Sequence, residues 1–396
     1  MYSKAKDGKS VARLKNGDPM IFARGGEELE YLQEKKIEVE IVPGLSSAIS
    51  IPSLNKIPLT KRGVSSSLSI LAGYGAGGKE PQWTGVGATA VVLMPVGNLS
   101  LVVEKLITSG KSANTLSALI SSGSTEEEQL LISPLSSIVE LAKVTGIESP
   151  SILVAGNVVN ELLNIKGKTV AAFRPSNELE RTRRLVEKAG GIPLIFEICD
   201  VEFSEYPKLK KALAKDWDYL VFMSPNGVRS ASNLIDLTKF KTIAVGNRTK
   251  TKLEEHGCKK VIVPEQQSSA GVEELLKEKR GSALALRSPL AKEEIKGAEN
   301  VTTYSIKLKN LSPIIDEYLS KKVDFTLLTS AGLLELLLES AKEKGKKARL
   351  TEKLNDSFVI SIGRKTTEFT LTNDIWVNYE LSKPSLESLF QRSVNE

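Results

Sequence analysis

Val11-Ala12-Arg13-Leu14-Lys15-Asn16-Gly17-Asp18-Pro19, followed by Ile21, Phe22 and Arg24-Gly25-Gly26-Glu27-Glu28, is the stretch from which the rest of the chain can be read. Ser10 to Leu14 alternates as a short strand does, and the next four residues are turn chemistry. Gly17 admits torsions that other residues avoid, and Pro19 fixes the φ that follows. Such a turn at the carboxyl end of a strand leaves peptide N–H groups facing a polar ligand, and Gly25-Gly26 prolongs the irregular backbone until Glu27-Glu28 open a helix. Taken alone, the turn fits an ordinary strand-to-helix loop at least as well.

Further blocks follow in order. Val42-Pro43-Gly44-Leu45-Ser46-Ser47-Ala48 is a second turn, and Ile57-Pro58-Leu59-Thr60-Lys61-Arg62-Gly63 comes next. Leu93-Met94 with Gly97-Asn98, Ser122-Gly123-Ser124-Thr125, and Ser149-Pro150 through Val159 complete the series. Together these blocks resemble, in register, the uroporphyrinogen-III C-methyltransferases. The resemblance implies that S-adenosyl-L-methionine lies against Gly17, Asp18 and Ile21, the turn at Ser46 and Ser47, Met94 at the end of an apolar strand, and Gly123. It also makes Arg24 the candidate for gripping a substrate carboxylate, since a guanidinium offers two parallel charged hydrogen bonds. Asn16 departs from the family's glycine. Family members carry a further amino-terminal portion with a G-x-G-P-G-D loop and the acid and base residues of the reaction, which does not precede Met1 here. The expectation is therefore a later stated start than the true one, a fragment, or completion by a separate polypeptide, with apolar edges exposed meanwhile.

The second half repeats itself. Lys168 to Pro175 is an apolar strand ending in Arg174-Pro175, and Ser282 to Pro289 has the same form around Arg287. Tyr219 to Gly227 leads through Ser224-Pro225-Asn226 into a helix as Phe325 to Gly332 does through Ser330. Thr242 to Thr249, with Gly246, is matched by Phe358 to Thr366, with Gly363, and Ser268 to Gly271 by the segment from Ser385. These landmarks recur about 110 residues apart, which marks an internal duplication. Short apolar strands between helical patterns, each strand ending in Ser, Thr or Gly, describe two doubly wound α/β lobes with parallel sheets. Ligands of such sheets bind beyond the carboxyl ends of the strands, where helix amino termini add donors. The hydroxyls of Ser224, Ser330, Thr249 and Thr366 either join those donors or merely cap helices.

This half resembles uroporphyrinogen-III synthase across residues 166 to 396, in the order of its blocks more than in any one of them. The resemblance implies that Arg174, Ser224, Asn226, Gly227, Gly246, Thr249, Arg287, Ser330, Gly363 and Thr366 line the substrate site. It implies as substrate hydroxymethylbilane, a linear, multiply carboxylated tetrapyrrole, closed with inversion of its last ring. Tyr304, in Val301-Thr302-Thr303-Tyr304-Ser305, holds the place of a family tyrosine and is the catalytic candidate; a half-buried strand tyrosine is the other reading. No cofactor is expected for this half. The implied domains are residues 1–163 for a methyltransferase lacking its amino-terminal part, 166–198 with 301–396 for one synthase lobe, and 199–300 for the other.

Composition agrees with these readings and narrows them. The chain has 396 residues and a formal charge of +6, suited to acidic small molecules. It shows no aromatic-interleaved basic patch of a nucleic-acid binder. Cys199 and Cys258 have no metal-ligand spacing, and His256, the only histidine, stands beside Gly257 at an expected helix end, which leaves no set of histidines for a metal site and speaks against a Ser-His-Asp triad. No apolar run is long enough for a membrane span, Leu333 to Leu338 included. A cytoplasmic protein, dimeric through its methyltransferase half, is expected. Three functions stand open: a fusion of both enzymes of sirohaem or corrinoid synthesis, a synthase beside an inactive methyltransferase remnant, or a non-catalytic two-lobed sensor of a polyanion.

Overall fold

Apolar runs become strands here wherever a neighbour completes the ladder. The structure, a computed structural model, describes residues 1–73, 83–203, 207–291, 293–381 and 385–390. They fall into two units, Met1–Asn164 with Trp376–Glu380, and Ile165–Ile375 with the described residues from Leu381 to Phe390.

In the first unit, β1 (Leu68–Ala72), β2 (Thr89–Leu93), β3 (Leu116–Ser121), β4 (Gln129–Pro134) and β5 (Ser151–Ala155) lie in the order β1-β2-β5-β3-β4. Only β1 and β2 are parallel among these five. The β2 and β5 strands are buried throughout, as expected of apolar runs covered on both faces. Helices Leu99–Thr108 and Leu135–Thr145 set Val102, Leu106, Ile138 and Leu141 against Val92, Leu119 and Leu153. Trp376 closes the same core, its Nε1 donating to the Leu130 carbonyl at 2.9 Å, and Tyr379 aligns in parallel with Ile132 on β4. The strand expected over Ser10–Leu14 is corrected: that stretch is irregular and Leu14 is 85% exposed. Alternation supplies a face but not a partner, and among the described residues no strand is paired with it. The helix expected at Glu27-Glu28 does form, over Gly25–Glu34.

The second unit contains two sheets. One is built from β6 (Thr169–Pro175), β7 (Ile192–Glu202), β13 (Ser305–Leu308), β14 (Phe325–Leu328) and β15 (Phe358–Ser361), in the order β15-β14-β6-β7-β13. All its pairs are parallel except the edge pair β7 and β13. The other is parallel throughout: β8 (Tyr219–Phe222), β9 (Lys241–Ala244), β10 (Val261–Ile262), β11 (Ala283–Arg287) and β12 (Glu299–Thr302), in the order β10-β9-β8-β11-β12. The internal duplication is visible as strand order: β15-β14-β6-β7 in one sheet corresponds to β9-β8-β11-β12 in the other. Along β8 the side chains alternate. Leu220 and Phe222 join Val228 and Leu253 on one face, and Val221 joins Val272 and Leu276 on the other. That two-sided covering is the doubly wound arrangement. The Leu333 to Leu338 run lies in helix Ala331–Glu343 and is a core element, and no helix among the described residues is long and apolar enough to cross a membrane.

Candidate functional site

In the first unit the two turns of the sequence are fastened to each other. The Asp18 carboxylate accepts from the Met20 N–H at 2.8 Å and from the Gly44 N–H at 3.1 Å. Gly44 is needed for that contact: a Cβ there would stand 2.6 Å from the Gly17 carbonyl oxygen. Gly17 itself has φ 115°, a conformation that favours glycine. Ile21, half-buried, donates its N–H to the Asp18 carbonyl. The second turn runs into helix Ser47–Leu54, capped by the buried Ser46 hydroxyl, which accepts from the Ala48 N–H, while Ser47 is exposed. Ile51 of that helix rests on Gly123, where a Cβ would come within 2.6 Å of its side chain. The Ser122 N–H donates to the Pro150 carbonyl and the Met94 N–H to the Ser151 carbonyl. Gly17, Asp18, Ser46, Gly123 and Met94 therefore form one linked series of turns. Arg24 is exposed, and its guanidinium lies on the Glu27 carboxylate, with Nε to Oε2 at 2.9 Å. That hydrogen bond raises the Arg24 pKa and lowers that of Glu27.

In the second unit the carboxyl ends of the two sheets meet. Asn177, just after β6, donates its Nδ2 to Asn226 Oδ1 after β8 at 2.8 Å. Arg248, in the helix after β9, donates its Nη2 to both oxygens of Glu178 at 2.9 and 3.1 Å. Lys365 after β15 reaches Glu293 at 2.6 Å. The blocks expected to line a shared gap are thus on facing edges.

Their side chains are engaged in different ways. Ser224 and Ser330 are helix caps, accepting from the N–H groups of Gly227 and Leu333. Thr249 and Thr366 are buried, so their hydroxyls do not stand out as free surface donors. Gly227 packs near the Leu286 carbonyl and the Thr303 hydroxyl, which itself donates to the Arg287 carbonyl. Gly246 lies against Gln267, whose Oε1 accepts from the Asn247 N–H, whereas the space beside Gly363 is open. Arg174 is buried with all its nitrogens bonded: Nε to Thr182, Nη1 to Thr329 and Nη2 to Glu178. Arg287, also buried, donates Nη2 to the Ala291 carbonyl at 2.7 Å, but among the described residues its Nε has no partner. Tyr304, which follows β12 at the same edge, is 5% exposed with its ring 6.1 Å from that of Phe203.

The centre of this edge was not singled out by sequence. Glu178 accepts from Arg174 at 2.9 Å and Arg181 at 3.0 Å as well as from Arg248, and Arg181 also contacts Glu387. Burial works against the Glu178 charge, yet Arg248, Arg174 and Arg181 hold its carboxyl below the usual range. The available signal was the position of Glu178 four residues beyond Arg174, and of Arg248 inside the Ala244–Thr249 block.

Residues 1–139 match the family described as Tetrapyrrole (Corrin/Porphyrin) Methylases, and residues 180–391 match the one described as Uroporphyrinogen-III synthase HemD. The chain is 38% identical over 167 residues to a uroporphyrinogen-III C-methyltransferase of Methanocaldococcus jannaschii, covering 41% of this chain and 69% of that one. It is 39% identical over 166 residues to an S-adenosyl-L-methionine-dependent uroporphyrinogen III methyltransferase of Methanosarcina barkeri, 40% of this chain and 65% of that one. A porphyrin biosynthesis protein HemD of Ruminiclostridium josui is similar across both halves, 29% identical over 292 residues, covering 67% of this chain and 57% of that protein.

Proposed function

Because this chain belongs to the uroporphyrinogen-III synthase family through residues 180–391 and to the tetrapyrrole methylases through residues 1–139, we propose that it joins two successive steps of tetrapyrrole biosynthesis. The second unit cyclises hydroxymethylbilane to uroporphyrinogen III with inversion of ring D. The first unit carries S-adenosyl-L-methionine-dependent methylation of uroporphyrinogen III to precorrin-2. The product of one reaction is the substrate of the other.

The observation that carries the synthase reading is the facing of the two carboxyl edges, bridged by Asn177 to Asn226 and Glu178 to Arg248. A linear substrate bent between them has its two ends brought together, which lowers the entropic part of the closure barrier. Tyr304 is assigned as the hydrogen-bond or proton donor to the departing hydroxyl, which leaves as water. The resulting electrophile is attacked by the far ring, and a spiro rearrangement inverts that ring before closure. Arg287, whose buried Nε has no partner among the described residues, and the backbone around Gly227, Gly246 and Gly363 are assigned to the substrate's carboxylates. The two lobes are taken as 166–198 with 301–396, and 199–300.

For the first unit, the close-packed turns at Gly17–Asp18 and Gly44–Ser46 supply a cradle in which an added Cβ would collide. Asp18, Ser46, Ser47, Ile21, Met94 and Gly123 are assigned to hold S-adenosyl-L-methionine, which supplies an electrophilic methyl group. Arg24 turns from Glu27 to a substrate carboxylate. We place the protein in the cytoplasm and expect self-association through this unit.

Incubation with hydroxymethylbilane, followed by identification of the isomer, tests the synthase. Uroporphyrinogen III is expected, and isomer I alone would overturn the reading. Addition of S-adenosyl-L-methionine and uroporphyrinogen III tests the methyltransferase through the absorbance of the methylated product.

A further inference from the structure

Three guanidiniums converge on one carboxylate where the two sheets of the second unit meet. Glu178 Oε2 accepts from Arg174 Nη2, Arg181 Nη1 and Arg248 Nη2, and Oε1 accepts from Arg248 Nη2. The three donors differ in freedom. Arg174 is buried, with its remaining nitrogens fixed on Thr182 and Thr329. Arg181 and Arg248 are about one third exposed, at 32% and 35%, and Arg248 comes from the opposite sheet. Among the described residues, only one nitrogen of Arg248 is engaged, which leaves its Nε and Nη1 turned to no protein acceptor. The cluster holds the three arginines against Glu178 and Glu387, so one positive charge exceeds the acids present.

We propose that Arg248, with Arg181, is a binding position for a carboxylate of the substrate, and that Glu178 is its built-in competitor, occupying the guanidiniums until an incoming carboxylate takes them. This rests on the synthase reading, which supplies a carboxylate-rich ligand. Glu178 already defines the geometry that a carboxylate adopts there, and a planar fork with unused donors accepts a second one without rebuilding. Glu178 then stays on Arg174, where the buried guanidinium still needs a counter-charge. The exchange swaps a bond between the lobes for bonds to ligand, so the ligand inherits the bridging role, and a molecule with fewer carboxylates is discriminated against.

The sign of two substitutions tests this. In the full chain, Arg248→Gln raises KM for hydroxymethylbilane about tenfold, the scale of one charged hydrogen-bonded contact, with a smaller change in kcat. Glu178→Gln lowers KM, because the competitor's charge is gone. If Glu178 and Arg248 only hold the lobes together, both variants shift KM in the same direction, and the proposal fails. Calorimetric binding of benzene-1,2,4-tricarboxylate needs no turnover and gives the second readout. It weakens in Arg248→Gln and tightens in Glu178→Gln, and Arg248→Lys lies between wild type and Arg248→Gln. Opposite shifts in a wild-type background that forms no uroporphyrinogen III would refute the synthase reading and leave the carboxylate site standing. Turnover to uroporphyrinogen III with equal shifts would do the reverse. Should Glu178→Gln not fold, tricarboxylate affinity equal in wild type and Arg248→Gln is sufficient to overturn the site.

Discussion

Arg174 is a buried charge, and it is tolerated because every nitrogen has an acceptor. Burial lowers its pKa and Glu178 opposes that, but a guanidinium does not lose its proton in a protein. Arg174→Met therefore removes one partner of a buried pair. We expect about 3 kcal/mol lower stability of the second unit, read as an earlier urea midpoint; no shift would mean that Arg181 and Arg248 satisfy Glu178 alone. Tyr304→Phe keeps the ring against Phe203 and deletes the donor. The expected result is a fall in kcat on the order of 10²-fold with isomer III still formed, and an unchanged kcat would remove the phenol from the chemistry. Cys199 is pushed up to about 11 by burial, with Asp200 and Glu197 adding to it against Lys309. Its thiol is therefore protonated at pH 8, and iodoacetamide should label it only after unfolding; rapid labelling of the native chain contradicts this.

At the scale of elements, close approach decides more than propensity does. The turn containing Gly44 sits so near Gly17 that Gly44→Ala must separate them and stretch the Asp18 bond to the Gly44 N–H. A cost of about 1–3 kcal/mol is expected, appearing as an affinity for S-adenosyl-L-methionine weakened about 5- to 150-fold in calorimetry. An unaltered affinity would show that the cradle is not where the ligand sits. Strands β6, β8, β9, β11, β14 and β15 were legible as apolar runs because both faces of these sheets are covered, so burial needs no alternation. Ser10–Leu14 misleads for the complementary reason: its alternation is genuine, but a ladder requires a second strand that the local sequence does not encode. The hydroxyls that end the strands were legible as residues and ambiguous as roles, since a cap and a ligand donor call for the same side chain in the same place. At Ser224 and Ser330 the structure shows the cap.

At the scale of the whole molecule, pH acts on the second unit through Glu178. Its carboxyl is lower in the folded than in the unfolded chain, so the stability it contributes is fully present above the unfolded value and is lost as pH falls through the lowered folded one. The groups facing it are Arg174, Arg181 and Arg248, with Glu387 beyond Arg181. Denaturation from pH 7 toward pH 3 should show wild type losing its advantage over Glu178→Gln, and a constant gap would be inconsistent with an ionised latch. The sequence by itself determined the succession of turn blocks in the first unit and the duplication in the second, because local backbone chemistry and apolar runs are written in consecutive residues. Tertiary structure alone decided that the duplicated sheets turn their carboxyl edges to each other, that Trp376–Glu380 joins the β4 side of the first unit, and that Glu178 gathers three arginines. Those contacts join residues as much as 248 positions apart. Their energy comes from charges and ladders completed across such distances, which no window of sequence contains.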